Sequence, residues 1–180
     1  MRTQVESWLR IHEVFHPTDS SPRSDAAFLH ALRISAAAGA RLTLMRVGPD
    51  DPTSSDTFPE VRATLQRWRM QGRKDKSIPE LVVRRHSAHG NDPAKSCLKS
   101  LEMSPAKIIV VLTHALNGRM TWLATSIAEP LARSSHEMTL LVPEGITGFA
   151  SPDDGAVVLK RILVPVASRP RPEPAVGSRE

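Results

Sequence analysis

The apolar positions of the chain alternate between two kinds of run. Short β-branched or aliphatic stretches recur at Ile11–Phe15 (IHEVF), Arg41–Val47 (RLTLMRV), Leu81–Arg85 (LVVRR), Lys107–Leu112 (KIIVVL) and Met138–Val142 (MTLLV). Their length and composition predict strands, and the uninterrupted Lys107–Leu112 run reads as a strand buried on both faces. Between them lie segments whose apolar residues are spaced for a helix. Ser21-Pro22 opens the first, with Phe28, Leu32 and Ala36 at four-residue intervals and Gly39 as its stop. Phe58–Gln71 carries Val61, Leu65 and Trp68; Asp92-Pro93 begins a third helix with Ala94, Cys97, Leu98 and Leu101 inward; Thr125–Ser134 belongs to a fourth. Strands alternating with helices of this length predict right-handed βαβ units and an open parallel α/β sheet with helices on both faces.

Polar turns punctuate the pattern. His16–Ser21 follows the first strand, and Thr113–Gly118 follows the fourth, with Asn117-Gly118 marking a tight reversal. In such sheets, strand ends that lead through a turn to a helix N-terminus are where a phosphate can meet unpaired backbone N–H groups.

The segment Thr113-His114-Ala115-Leu116-Asn117-Gly118, followed by Thr125-Ser126-Ile127-Ala128-Glu129, resembles the C-terminal signature of the universal stress protein (UspA) family. The stretch HPTDSSPRSDAAFLHALRISAAAGARLTLMRV is similar to the family's N-terminal strand–helix–strand. The resemblance implies a Rossmann-like five-stranded parallel sheet in order 3-2-1-4-5, with a switch point between the first and fourth strands. It also implies a nucleotide site at Asp19, Val47, Thr113, His114, Ala115, Asn117, Gly118 and Ser126. Asp19 would hold the nucleoside, Val47 would contact adenine, and Ser126 would donate to a phosphate. ATP-binding relatives carry a Gly-x-x-Gly, nine residues, then Gly-Ser or Gly-Thr. That pattern falls here on Leu112, Ala115, Thr125 and Ser126, so the spacing and the hydroxyl are kept and the glycines are not. Glycine lets a backbone approach phosphate closely, and the β-branched Thr125 should obstruct it most. The site reads as degenerate, with ATP or AMP as the ligand named by the resemblance and no cofactor demanded by the residues themselves.

Residues 11–143 accordingly form the family domain, preceded by a lead-in at 1–10. Residues 144–160 read as a Gly/Asp-rich linker, and RILVPV within 161–168 resembles the first strand of a second such domain. The proline-rich tail 169–180 has too few apolar residues to fold. Either the chain is a truncated tandem protein, or its last strand adds to a sheet edge. The edge strands around Met138–Val142 and Arg161–Val166 are the expected interface for a homodimer or another universal stress protein.

Composition narrows the function. The 180 residues are 40% hydrophobic and 24% charged, an ordinary globular mixture. Aromatic residues make up only 4% with no tyrosine, which argues against a base-stacking platform, and no recognition motif accompanies the net charge of +5. Nucleic acid is therefore not expected as a partner. The lone Cys97 reads as a small apolar residue and suits a reducing cytoplasm. No secretory signal or membrane-spanning run is present.

The histidines His12, His16, His86, His89 and His114 match no zinc spacing, and there is no Gly-x-Ser-x-Gly or Walker A sequence. No catalytic or metal residue is assigned. The expectation is a cytoplasmic, non-catalytic regulatory module of the stress response acting through dimerisation or partner contact. The alternative is an ATP/AMP switch with weak hydrolysis.

Overall fold

The computed structural model describes residues 10–48, 58–71, 81–113 and 127–162. Five parallel strands form one sheet in the order β3-β2-β1-β4-β5. The strands are β1 (Glu13–Pro17), β2 (Arg41–Gly48), β3 (Val83–His89), β4 (Ile108–Thr113) and β5 (Met138–Pro143). The helices are α1 (Asp25–Ala38), α2 (Val61–Gln71), α3 (Pro93–Met103) and α4 (Ala128–Ser134). The predicted fold class and strand order hold.

Period-two alternation along the strands divides the interior into two cores. Val14, Leu42, Leu44 and Val110 point to the side where Phe28, Leu32, Leu65 and Trp68 of α1 and α2 pack. Phe15, Met45, Ile109 and Val111 point to the other side, against Cys97, Leu101, Ala128 and Leu131 of α3 and α4. Right-handed crossovers require this division. The order moves outward one way from β1 through β3 and the other way through β4 and β5, so the two pairs of helices land on opposite faces.

Element limits depart from the sequence reading where backbone pairing outweighs side-chain pattern. The first strand lies two residues later than Ile11–Phe15, because Glu13–Pro17 pairs with Arg41–Met45. Its polar members are accommodated by partners. Glu13 is buried, and its carboxylate accepts from Arg41 Nη1 at 3.0 Å and Thr43 Oγ1 at 2.7 Å. The third strand is Val83–His89 rather than Leu81–Arg85, since it follows β2 from Leu42 to Gly48. As an edge strand with mostly exposed side chains, it keeps the polar residues that sequence alone reads as a loop. The second helix starts at Val61, three residues after Phe58, because Pro59 biases the residue before it away from helical backbone. Pro22 begins a 3-10 turn, Pro22–Ser24, ahead of α1. Gly39 caps α1 with φ 62°, and Asp92 caps α3 by accepting from Lys95 N at 3.0 Å.

Residues 144–160 contain no long element, yet they are packed. Phe149–Val158 closes into a small hairpin through an antiparallel bridge between Ala150 and Val157 and a Val158 N to Phe149 O bond of 2.8 Å. Trp68 Nε1 donates to Pro152 O at 3.2 Å, and Phe149 N donates to His30 Nε2 at 2.9 Å. Ala150 is wholly buried in the α1/α2 core. The hairpin therefore covers part of that face. The expected further strand is not present at Arg161 and Ile162, and the rest of 161–168 lies outside the described residues, as do 1–9 and 169–180.

Removing the Glu13 carboxylate should leave two donors without their acceptor. Glu13→Ala is expected to destabilise the domain by about 1–3 kcal/mol, the half-exposed Arg41 recovering part of its loss in water. A urea titration that shows a lowered midpoint at unchanged slope checks this.

Candidate functional site

A single backbone incompatibility opens the sheet. Odd-numbered residues of β1 turn their backbone groups toward β4, as the Lys107 N to Glu13 O bond of 3.0 Å shows. Even-numbered neighbours turn toward β2: Arg41 N bonds His12 O, and Thr18 N bonds Met45 O. The next donor owed to β4 after Phe15 is residue 17, a proline with no N–H. Register between β1 and β4 accordingly ends at Phe15↔Ile109, whereas β1 stays paired with β2 through Pro17↔Met45. The carbonyl that residue 17 would have engaged in this register is Val110 O. The His16 side chain takes that place, its Nδ1–H donating to Val110 O at 2.8 Å.

Beyond the split, the chain forms a tight polar turn. Thr18 Oγ1 accepts from Ser20 N at 3.0 Å, and Asp19 Oδ1 accepts from Ser21 N at 2.9 Å. Ser24 Oγ donates to Ser21 O at 2.8 Å. Ser20 sits at φ 58°, a left-handed conformation that this network holds. Partial burial pulls the Asp19 pKa up, but the Ser21 backbone N–H, with the Ser21 and Ser24 hydroxyls close by, outweighs it. The carboxyl is held below the ordinary carboxylate range and is ionised at neutral pH.

A cavity of about 230 Å³ lies at the C-terminal ends of β1, β2 and β4, on the α3/α4 side. Thr18, Asp19 and Ser24 give it a polar rim. Met45, Val47, Val111, Cys97 and Ile127 are among its apolar walls. Cys97 is wholly buried, and burial pushes its thiol up to about 12, so it faces the cavity as a neutral, unreactive group.

Of the sequence-predicted residues, Asp19 and Val47 come together on this cavity, with Leu112 beside them. Thr113 closes β4, buried, its carbonyl accepting from Glu144 N at 2.8 Å, and it is not part of the lining. His114, Ala115, Asn117, Gly118, Thr125 and Ser126 lie outside the described residues. Sequence reasoning did not place Met45, Pro93 or Ile127 at the site. Met45 and Val47 share one face of β2 by simple alternation, which was the available signal.

Among the described residues no cluster of three potential metal ligands exists. His86 and His89 fall three apart on β3 and so point to opposite faces.

The universal stress protein family model matches residues 11–143. The chain belongs to the universal stress protein family. No curated protein matches it. Its fold is similar to the crystal structure of a universal stress protein in complex with cAMP, with TM-score 0.51 and 17% identity over 76% of this chain and 99% of that one. It is also similar to a universal stress protein from Archaeoglobus fulgidus DSM 4304, with TM-score 0.52 and 22% identity. That match covers 74% of this chain and 45% of the other. At these identities the likeness is one of fold. In this universal stress protein the cavity occupies the crevice beside the switch point between β1 and β4, where ligands bind in open α/β sheets.

His16 gives the site a pH signature. Burial lowers its pKa from 6.5 to about 4, against the opposing effects of the Val110 carbonyl and Asp19. The unfolded chain therefore binds the proton more readily than the native one. Stability should be full above pH 6.5 and fall towards pH 4, at up to about 1.4 kcal/mol per pH unit. Urea titrations across this range should show the slope in the native sequence and its reduction in His16→Leu.

Proposed function

We propose that this universal stress protein is a cytoplasmic, non-catalytic regulatory module that binds an adenine nucleotide of the AMP type. The observation that carries the reading is the cavity at the diverging ends of β1 and β4, which joins an apolar slot to an ionised carboxylate. Met45, Val47, Cys97 and Ile127 offer a flat base an apolar seat, and Asp19 can accept from the hydroxyls of a sugar. A fold relative holding cAMP supports the choice of ligand class. The volume suits a base and sugar, with any phosphate projecting toward the segment that follows β4. His114, Ala115, Asn117, Gly118 and Ser126 are the residues proposed to meet it. Leu112 and Thr125, standing where ATP-binding relatives have glycine, weaken that part of the site.

The output is contact with a second copy or with another universal stress protein. β5 is a sheet edge with Met138 64% exposed, and Val157, Val158, Leu159 and Ile162 form an exposed apolar run nearby in sequence. Both are places where strand addition can occur. No helix among the described residues is long and apolar enough to cross a membrane.

Titration calorimetry of AMP and ATP, with magnesium, into protein stripped of carried-over nucleotide tests the proposal. Micromolar binding is expected, with at least a tenfold loss in Asp19→Ala and abolition in Cys97→Phe, which fills the cavity. A folded protein that gives no heat with either ligand overturns the ligand assignment.

A further inference from the structure

The hairpin over α1 and α2 is held at two points, and one of them is ionisable. His30 on α1 is 2% exposed. Its Nδ1 bonds the Ala26 carbonyl at 2.6 Å, and its Nε2 receives the Phe149 N–H at 2.9 Å. A carbonyl can only accept and a backbone N–H can only donate. The ring must therefore carry its proton on Nδ1 and present a lone pair at Nε2. The Phe149 ring meets the imidazole edge-on at a centroid distance of 4.3 Å. Gly148 passes so close that a Cβ there would fall 2.2 Å from the ring, at a φ of +70°.

We propose that His30 is a proton-sensitive latch: neutral, it holds the hairpin Gly148–Val158 on α1, and on protonation at Nε2 it lets the hairpin go. The added proton occupies the lone pair that Phe149 N–H requires, so two donors face one another in a buried contact. Of the elements packed together here, α1 carries Asp25 and Arg33, α2 carries Arg62, Arg67 and Arg69, and the hairpin and its approach carry Glu144, Asp153 and Asp154. Glu144 lies 3.4 Å from Arg23, and Asp154 accepts from Ala156 N at 3.0 Å. Among the described residues no carboxylate pairs with His30 to compensate its charge. Arg33 follows one turn along the same helix and opposes a second cation there. The other anchor, Trp68 Nε1 to Pro152 O, does not titrate. A released hairpin uncovers the Ala150 seat in the α1/α2 core and frees the apolar run Val157–Leu159 that follows it.

The sign is fixed by the docked state's need for a neutral ring. Docking is complete at alkaline pH and weakens as the pH falls, by up to about tenfold per pH unit. Amide hydrogen exchange on the full chain at pH 7.5 and pH 5.5, corrected for intrinsic rates, reads this directly. Phe149 and Val158 are expected to lose more protection at pH 5.5 than the Leu44 and Val111 amides, which report the global effect of His16 and so separate it from release. His30→Gln should abolish the difference between the two pH values. Gly148→Ala should leave the hairpin open at both. Equal protection of Phe149 at the two pH values in the native sequence, or an unchanged pH dependence in His30→Gln, overturns the proposal.

Discussion

The missing N–H of Pro17 is the constraint from which the rest of the site follows. A continuous ladder between β1 and β4 would close the sheet where the strands now part. With no donor at residue 17, the pairing stops after Phe15↔Ile109 and the Val110 carbonyl is left to a side chain. His16 satisfies it from within the core and accepts a lowered pKa in consequence. The turn that follows can then fold back through Thr18, Asp19 and Ser24 onto the crevice. Backbone chemistry at one residue thus fixes the position of the cavity, and side-chain chemistry at its neighbour gives the Val110 carbonyl its donor.

The sheet that carries this crevice is packed on both faces. Alternate residues of β1, β2 and β4 feed two separate cores, each covered by two helices, so a one-residue slip of any central strand would exchange the two sets. The Glu13–Arg41–Thr43 contact adds a polar register mark across β1 and β2. Such marks matter in a parallel sheet, where central strands are apolar on both sides and side-chain pattern alone discriminates poorly between registers.

Much of this was legible in the sequence. The β4 run IIVV reads as a strand buried on two faces, and Gly39 and Asp92 announced helix ends that the structure confirms. The alternation of elements, together with the family resemblance, led to the strand order. Strand limits were less legible where polar residues enter the sheet. Glu13 and His16 are kept in β1 by partners 30 and 94 residues away, and β3 owes its extent to β2 rather than to its own composition. Asp19 and Val47 were recognisable as neighbours of a crevice. The contributions of Cys97 and Ile127 were not, because they depend on how α3 and α4 settle against the sheet. Nor did composition reveal that the Gly/Asp-rich stretch after β5 is packed, since Gly148 and Gly155 serve close approach to His30 and Trp68 rather than flexibility.

The hairpin also bears on the order in which the molecule assembles. Its anchors join positions 84 and 119 residues apart, and distant contacts are the last to repay the entropy of closing their loops. During synthesis, α1 and α2 emerge well before the segment that caps them. Until it arrives, Trp68 lacks its carbonyl partner and the Ala150 seat stands open. The N-terminal half of the domain therefore passes through a period with apolar surface uncovered, and the closing stretch of the chain brings that period to an end.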